Sequence, residues 1–231
     1  MLDCGFSARE TERRLNQLGR SAAELAGILL THEHTDHMAG VGAVARQYEV
    51  PVWMSSGTHR AIRDRAGELP RVHRVNVHDV FAIGDIQVQP YPLPHDAREP
   101  CQFTFSDGCR RLGFLTDAGS LTVHMEDVLS GCDGLVIECN HDSDMLWGGT
   151  YPESLKRRIA GDHGHLDNEA AARLLSRLDT GSLQHLVLAH LSEKNNTEYL
   201  ARAAVGAVLG GADGLCVARQ DRVSSWYTFD A

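Results

Sequence analysis

Short apolar runs bounded by polar or turn-forming residues recur along the chain, and their spacing predicts the secondary structure. Continuous apolar runs, which are typical of buried strands, are GILLT (27–31), PVWM (51–54), DGLVIECN (133–140) and LQHLVLAH (183–190). Apolar positions three and four residues apart indicate helices in HMAGVGAVARQYEV (37–50), residues 56–68, LTVHMEDVLSG (121–131), YPESLKRRIAG (151–161), DNEAAARLLSRL (167–178) and NTEYLARAAVGAVLG (196–210).

Residues 72–116 instead predict short strands joined by tight turns. The pairs Gly84-Asp85 and Asp107-Gly108 are typical of hairpin turns, and the tail from residue 215 is strand-like again. Strands that meet as hairpins in the first half, followed by strand–helix alternation in the second, favour a layered α/β fold. We expect helices outside two mixed sheets, in a single domain that spans residues 1–231.

Composition and charge limit where such a domain works and what it binds. The 231 residues are 42% hydrophobic, which is enough for a core, and no apolar stretch approaches the length of a membrane span. The first ten residues lack the basic start and apolar segment of a signal peptide. Six scattered cysteines without a C-x-x-C pair are interpreted as reduced thiols, so a cytoplasmic location is expected. The net charge of -9 excludes a general affinity for nucleic acid, which would need a local basic patch.

The segment LLTHEHTDHMAG (29–40) concentrates imidazole and carboxylate groups directly after a predicted buried strand. In an extended backbone His32 and His34 point the same way, so they can reach one metal ion. Asp36 and His37 come where the chain turns into a helix, and as neighbours they project toward a second position. Nitrogen and oxygen ligands of this kind suit zinc, manganese or iron. Two such ions roughly 3.5–4 Å apart would form a dinuclear centre.

The pattern H-x-H-x-D-H after a strand resembles the metallo-β-lactamase fold, a four-layer αββα sandwich. That fold takes further ligands from later strand ends, and three segments of this chain match it: YPLPHDA with His95, LGFLTDAG with Asp117 and LVLAHLS with His190. Taken singly, these three residues could be a turn residue, a helix cap and a core histidine, respectively. The resemblance implies one metal held by His32, His34 and His95. It implies a second metal held by Asp36, His37 and His190, with Asp117 as the bridge.

The start of the chain both matches this fold and departs from it. The resemblance implies that Asp3, in MLDCG, supports the metal-binding loop from behind. In the family two strands and a turn usually precede this position, whereas here only two residues do. Either the natural chain begins upstream of Met1, which we favour, or the first hairpin is lacking, which would expose a sheet edge.

Longer segments resemble one family of this fold, the WalJ/YycJ-like exonucleases. They are THEHTDHMAGVGAVARQY, PHDA, TDAG, ECNHD, YPESLKRRIAGDHGHLDNEAA and LAHLSEKNN. The resemblance implies hydrolysis of phosphodiester bonds in DNA, in the 5′ to 3′ direction, with two divalent ions (zinc or manganese, or else iron). It implies that His165 assists the departing 3′-oxygen, and our mechanistic hypothesis adds that Asp36 orients the attacking hydroxide. His141 would contact substrate or serve as an extra ligand, with a plain loop residue as the alternative.

Basic residues near these motifs are candidates for binding a DNA backbone. Lys156, Arg157 and Arg158 are adjacent on a predicted helix, so two of them could face phosphates. The alternative is a solvated helix face. Asp167 is a predicted N-cap of the next helix, and His165 would lie beside free N–H groups that suit an anion.

Two other functions remain open at this stage. A thioesterase, lactonase or cyclic phosphodiesterase of the same fold would share all seven predicted ligands, so the metal motif does not separate it from a nuclease. A non-catalytic metal-binding or DNA-docking module would be expected to have damaged ligands, and none of the seven is damaged. The cationic helix and His165 favour a phosphate-containing substrate.

Overall fold

The chain divides into two units in the computed structural model, which describes residues 1–212 and 214–230. The first unit comprises residues 1–92 and 97–102, and the second comprises residues 93–96 and the chain from 103 onward. The expectation of a single domain over residues 1–231 stays a prediction.

The first unit is built around three parallel strands. These are β1 (Ile28–Leu30), β2 (Val52–Ser55) and β3 (Val72–Val75), which pair in the order β1-β2-β3. The helices of this unit are α1 (Ala8–Gln17), α2 (Thr35–Met38), α3 (Val41–Tyr48) and α4 (Ser56–Ala66), with a single 3-10 turn at Ala22–Glu24. Parallel strands need crossover connections, which α3 and α4 supply. The expectation that strands of the first half meet as hairpins, in a mixed sheet, is therefore wrong for β1 to β3.

The predicted strand at residues 27–31 corresponds to β1, which is fully buried in the core of the first unit. All three residues of β1 are buried, as expected for a parallel strand covered on both faces. Ile28 and Leu30 pack in a core with Val41 and Val44 of α3 and Ile62 of α4.

A hairpin of β4 (Phe81–Ile83) and β5 (Ile86–Pro92) turns at Gly84, which has a φ of 59°. The predicted Gly84-Asp85 turn is confirmed.

The second unit holds a mixed sheet. Its strands are β6 (Cys101–Ser106, in this unit from Phe103), β7 (Arg111–Leu115), β8 (Gly134–Glu138), β9 (His185–Ala189) and β10 (Cys216–Val217). They lie in the order β10-β9-β8-β7-β6, with β6 and β7 antiparallel and the other pairs parallel. The carboxyl ends of β7, β8 and β9 therefore meet at one edge of the sheet. Such an edge is where α/β sheets commonly place their sites.

Four of the five helices described in the second unit lie within segments that the sequence predicts as helical. The five are α5 (Val123–Leu129), α6 (Ser143–Gly148), α7 (Glu153–Ile159), α8 (Asn168–Leu175) and α9 (Glu198–Leu209). Asp167 caps α8 by accepting a hydrogen bond from the Ala170 N–H at 2.6 Å, which confirms the predicted N-cap. Helices α1 and α6 are not in the sequence prediction, and the strand-like tail holds only the two residues of β10. Within the described residues, no helix is both long and apolar enough to span a membrane.

Candidate metal centre

Three histidines of the first unit gather just beyond the end of β1. The ring centroids of His32 and His34 are 4.5 Å apart, and those of His32 and His37 are 4.2 Å apart. His34 is extended and α2 begins at Thr35, so the backbone changes direction within the cluster as the sequence predicts. Asp36 is largely exposed, and its Oδ2 lies 3.5 Å from Nε2 of His37.

Asp3 lies behind this cluster and fixes its orientation. Its Oδ2 accepts a hydrogen bond from Nδ1 of His37 at 2.7 Å. Its Oδ1 accepts from the Thr31 N–H at 2.9 Å, and the Thr31 hydroxyl also bonds to the carboxylate and lies 2.9 Å from Nδ1 of His32. When a carboxylate holds Nδ1 of a histidine in this way, Nε2 is left to bind a metal. This is the arrangement expected of a supporting residue, and the role of Asp3 remains a prediction.

The second unit gathers Asp117, His190 and His95. Asp117 follows β7 and His190 follows β9, so the parallel order of the strands brings them together. Oδ1 of Asp117 lies 3.4 Å from Nε2 of His190 and 4.0 Å from Nε2 of His95. His95 is buried, and its Nδ1 lies 3.1 Å from the carbonyl oxygen of Gly164. Two Nε2 atoms thus face one buried carboxylate.

Glu138 is a residue of this cluster that sequence reasoning missed. It ends β8 and is fully buried. Its Oε1 accepts from Nδ1 of His165 at 2.8 Å and from Nδ1 of His190 at 2.9 Å. Its Oε2 accepts from the backbone N–H groups of Ala118 at 3.1 Å and Leu166 at 3.2 Å. One carboxylate therefore orients two imidazoles and ties three chain segments together. The signal available in the sequence was a glutamate closing an otherwise apolar strand.

The electrostatics of this group favour charged Glu138. Burial alone would raise the pKa of the Glu138 carboxyl, but the charges and hydrogen bonds of His165 and His190 lower it well below its usual value. Burial alone would lower the pKa of His165, but the Glu138 charge and hydrogen bond, followed by the Asp117 charge, raise it. Glu138 is consequently ionised at neutral pH, and its negative charge favours cations nearby.

The backbone is strained at three predicted site residues. Asp3, Asp117 and His190 have φ values of 52°, 62° and 57°, and Glu49 is the only other described non-glycine residue with a positive φ. This left-handed conformation costs most residues about 1–2 kcal/mol. Strain of this kind concentrates where the fold must aim a functional side chain.

The three adjacent cations of the predicted helix, now α7, are not all exposed to solvent. Lys156 is 8% exposed, and its ammonium donates to the carbonyl oxygen of Trp147 at 2.6 Å. This burial contradicts the expected contact of Lys156 with a DNA backbone, because α7 turns that side chain inward. Arg157 is exposed beside Glu153, and Arg158 pairs with Asp96 at 2.5 Å. For these two arginines a phosphate contact remains a prediction.

His141 is buried beside the start of α8, and its contact with substrate or a metal remains a prediction. His141 is 2% exposed, and its buried Nδ1 has no hydrogen-bond partner among the described residues. Burial lowers the pKa of His141, which favours its neutral form. Its carbonyl oxygen accepts from the Asn168 N–H, and Asp167 accepts from the Ala170 N–H. The free N–H groups expected at this helix start are therefore largely occupied, and an anion site there is not supported.

Comparison with known proteins identifies the class. The Beta-lactamase superfamily domain matches residues 1–191. Exodeoxyribonuclease YycJ of Bacillus anthracis is 40% identical over 211 residues, which cover 90% of this chain and 80% of the relative. Exodeoxyribonuclease WalJ of Streptococcus pneumoniae serotype 2 is 33% identical over 218 residues, covering 92% and 81%. The metallo-beta-lactamase fold protein YhfI from Bacillus subtilis, 17% identical, aligns with a TM-score of 0.71 over 94% of this chain and 83% of its own.

These likenesses confirm the predicted metallo-β-lactamase α/β fold, which implies divalent metal ions. The chain belongs to the β-lactamase superfamily and, within it, to the family of the YycJ and WalJ exodeoxyribonucleases.

The donor groups of both units fit such ions. In the second unit Asp117, Glu138, His165 and His190 each offer a ligand atom, and these atoms lie within 4.8 Å of one another. In the first unit the donors are imidazoles and a carboxylate. Imidazole and carboxylate donors suit zinc, manganese and iron alike, so the chemistry of the donors leaves the identity of the metal open.

Proposed function

We propose that this protein is a metal-dependent exodeoxyribonuclease that hydrolyses phosphodiester bonds of DNA in the 5′ to 3′ direction. The observation that carries the proposal is the 40% identity to exodeoxyribonuclease YycJ over 90% of the chain. The histidines and carboxylates after β1, β7 and β9 support it, because a nuclease of this fold needs donors at those strand ends. The physiological metal is proposed to be zinc or manganese, with iron as the third candidate.

The seven predicted ligands are proposed to hold two divalent ions. The first set is His32, His34 and His95, the second is Asp36, His37 and His190, and Asp117 is shared. Divalent ions held there would lower the pKa of water and stabilise charge on the attacked phosphate. Asp36, which is largely exposed, orients the attacking water.

His165 is proposed to protonate the departing 3′-oxygen. Nδ1 of His165 is engaged by Glu138 at 2.8 Å, so Nε2 is the nitrogen available to a substrate. Burial lowers the pKa of His165, but the charge and hydrogen bond of Glu138, with the Asp117 charge, together outweigh this effect and raise the pKa overall. The ring therefore keeps its proton at higher pH than an ordinary histidine does. Glu138 thereby both positions the ring and favours the proton-donating form.

Labelled DNA tests the proposed activity directly. Purified protein supplied with manganese or zinc is given single- and double-stranded DNA labelled at the 5′ or the 3′ end. The proposal expects early release of the 5′ label as short products, and loss of all cleavage when a chelator is added. Early release of the 3′ label would reverse the polarity. Hydrolysis of a small thioester or lactone, with no DNA cleavage under either metal, would refute the nuclease in favour of another ester hydrolase.

Replacing His165 separates its proposed role from that of a metal ligand. His165→Ala is expected to slow DNA cleavage by about 10²–10⁴-fold, which is typical for loss of a general acid, while metal content stays at the wild-type level. Elemental analysis and single-turnover rates check the two quantities. His163→Ala is the matched control, because His163 is exposed two residues earlier in the same loop. A parallel loss of metal and rate would reassign His165 as a ligand.

A further inference from the structure

We propose that Trp147, Tyr151 and Lys194 form a platform on which a nucleobase of single-stranded DNA stacks, on the same side of the second unit as Asp117, Glu138, His165 and His190, which we call the catalytic cluster. This inference rests on the proposed function, because it names how the DNA substrate is held. We call these three residues the stacking surface.

Two side chains of the stacking surface are exposed to solvent, and the third, Tyr151, is half-buried. Trp147, in the last turn of α6, is 46% exposed, and Lys194 is also exposed. The Lys194 ammonium lies 5.4 Å from the centroid of the Tyr151 ring, within cation–π range. A single exposed aromatic residue is ordinary on a protein surface. Single-strand binding proteins stack bases on aromatic side chains and add cation–π contributions, and this exposed tryptophan, four residues before a tyrosine near a cation, offers groups of the same kind.

The backbone below this surface is hydrogen-bonded and closely packed. Lys156, buried within α7, donates from its ammonium to the Trp147 carbonyl oxygen at 2.6 Å. Gly149 packs so closely that a Cβ there would lie 2.8 Å from the Met145 carbonyl oxygen and 3.0 Å from Oδ1 of Asn195. The loop after α6 is therefore hydrogen-bonded to Lys156 and packed against the segment that carries Lys194. Pre-ordering reduces the entropy that a ligand must remove on binding.

Hydrogen bonds connect the stacking surface to the catalytic cluster. The Asp142 N–H donates to the Asn195 carbonyl oxygen at 2.9 Å, and the Ser192 N–H donates to the Asn140 carbonyl oxygen at 2.8 Å. The Asn140 side chain donates to the His190 carbonyl oxygen at 3.0 Å. Trp147 and Lys194 thus stand on the two segments that directly follow β8 and β9, the strands whose ends carry Glu138 and His190.

The local charges favour a base over a phosphate as the occupant. Asp144 on α6 is exposed near Trp147 in sequence and would repel a phosphate, whereas the charge of Glu153 on α7 is offset by Arg157 at 3.1 Å. An uncharged base is not repelled, and every base has a face that can stack. With one lysine at the surface and a net charge of -9 on the chain, stacking rather than counterion release should dominate.

Tryptophan fluorescence tests the stacking surface without cleavage. The full chain, freed of metal with a chelator, is titrated with a 12-nucleotide thymidine oligomer. Quenching is expected for the wild type. Trp147→Ala should remove most of the quenching and weaken binding by about 5- to 100-fold, and Lys194→Ala should weaken it less. Trp226→Ala is the matched control, since Trp226 is a second exposed tryptophan, 63% accessible, in the tail. Thermal melting checks that each variant is folded.

The outcomes separate this inference from the proposed function. Cleavage of DNA by the wild type, with Trp147→Ala binding the oligomer as tightly as the wild type does, overturns the stacking surface and leaves the nuclease intact. Quenching that depends on Trp147 without cleavage under any metal supports the surface and refutes the nuclease. An oligomer that binds without quenching, or does not bind the wild type, overturns the stacking surface in either case.

Discussion

Asp117→Asn is expected to slow DNA cleavage by at least about 10³-fold, which corresponds to about 4 kcal/mol of barrier, and to lower the content of bound divalent metal. Asp117 is 2% exposed, and its Oδ1 lies 3.4 Å from Nε2 of His190 and 4.0 Å from Nε2 of His95. Asparagine keeps the size of the side chain but removes the negative charge that would hold two neighbouring divalent ions together. Cleavage rates under saturating manganese and elemental analysis of dialysed protein measure the two effects.

Asp127→Asn is the matched control for this prediction. Asp127 lies ten residues further on, exposed on α5, and the same chemical change there should leave both rate and metal content at the wild-type level. An Asp117→Asn enzyme that retains its metal and cleaves DNA within a factor of ten of the wild-type rate would remove Asp117 from the site.

Glu138→Gln is expected to lower both metal affinity and cleavage rate by about 10–100-fold, as loss of a residue that orients metal ligands typically does. The amide can still accept hydrogen bonds from Ala118 and Leu166, but it cannot hold two imidazoles on one charged oxygen. Glu138→Ala also removes the acceptor and should lower the free energy of unfolding by about 3–5 kcal/mol, the usual effect of breaking a buried ionic group. Metal titration, single-turnover kinetics and denaturant unfolding measure these three quantities.

Glu169→Gln, on the exposed side of α8, is the control for Glu138→Gln and should change none of them. A purely structural role for Glu138 predicts a different pattern: lower stability in Glu138→Gln, with the metal affinity of the folded fraction unchanged. That pattern would contradict the role of Glu138 as a positioning residue for His190 and His165.

Much of the arrangement could be predicted because it is encoded locally. His32 and His34 lie two positions apart after an apolar run, and a polar residue follows each later strand. Both features can be recognised from neighbouring residues in the sequence alone. The cap of α8 by Asp167 is equally local, since the side chain bonds to an N–H three residues on. The fold and the family were predictable only from the resemblance of motifs to a known family, because the periodicity of apolar residues does not indicate which distant segments are in contact.

What sequence reasoning missed depends on contacts between distant segments. Glu138 gains its importance from His165, 27 positions away, and His190, 52 positions away. Lys156 is one of three adjacent cations, and only the packing of α7 against the Trp147 loop decides which of them turns inward. The parallel order of β1 to β3 likewise follows from how the crossover helices pack, and short apolar runs do not distinguish parallel from antiparallel neighbours.

The left-handed backbone at Asp3, Asp117 and His190 restricts how this protein can be made more thermostable. Glycine is the usual remedy at such positions because it adopts positive φ without steric cost, and at Glu49, in the C-cap of α3, an engineer can apply it. At the other three positions the same substitution would relax the main chain but remove a side chain that is predicted to bind or support a metal. Gains in heat resistance must therefore be sought in the core and the loops, away from these strand ends.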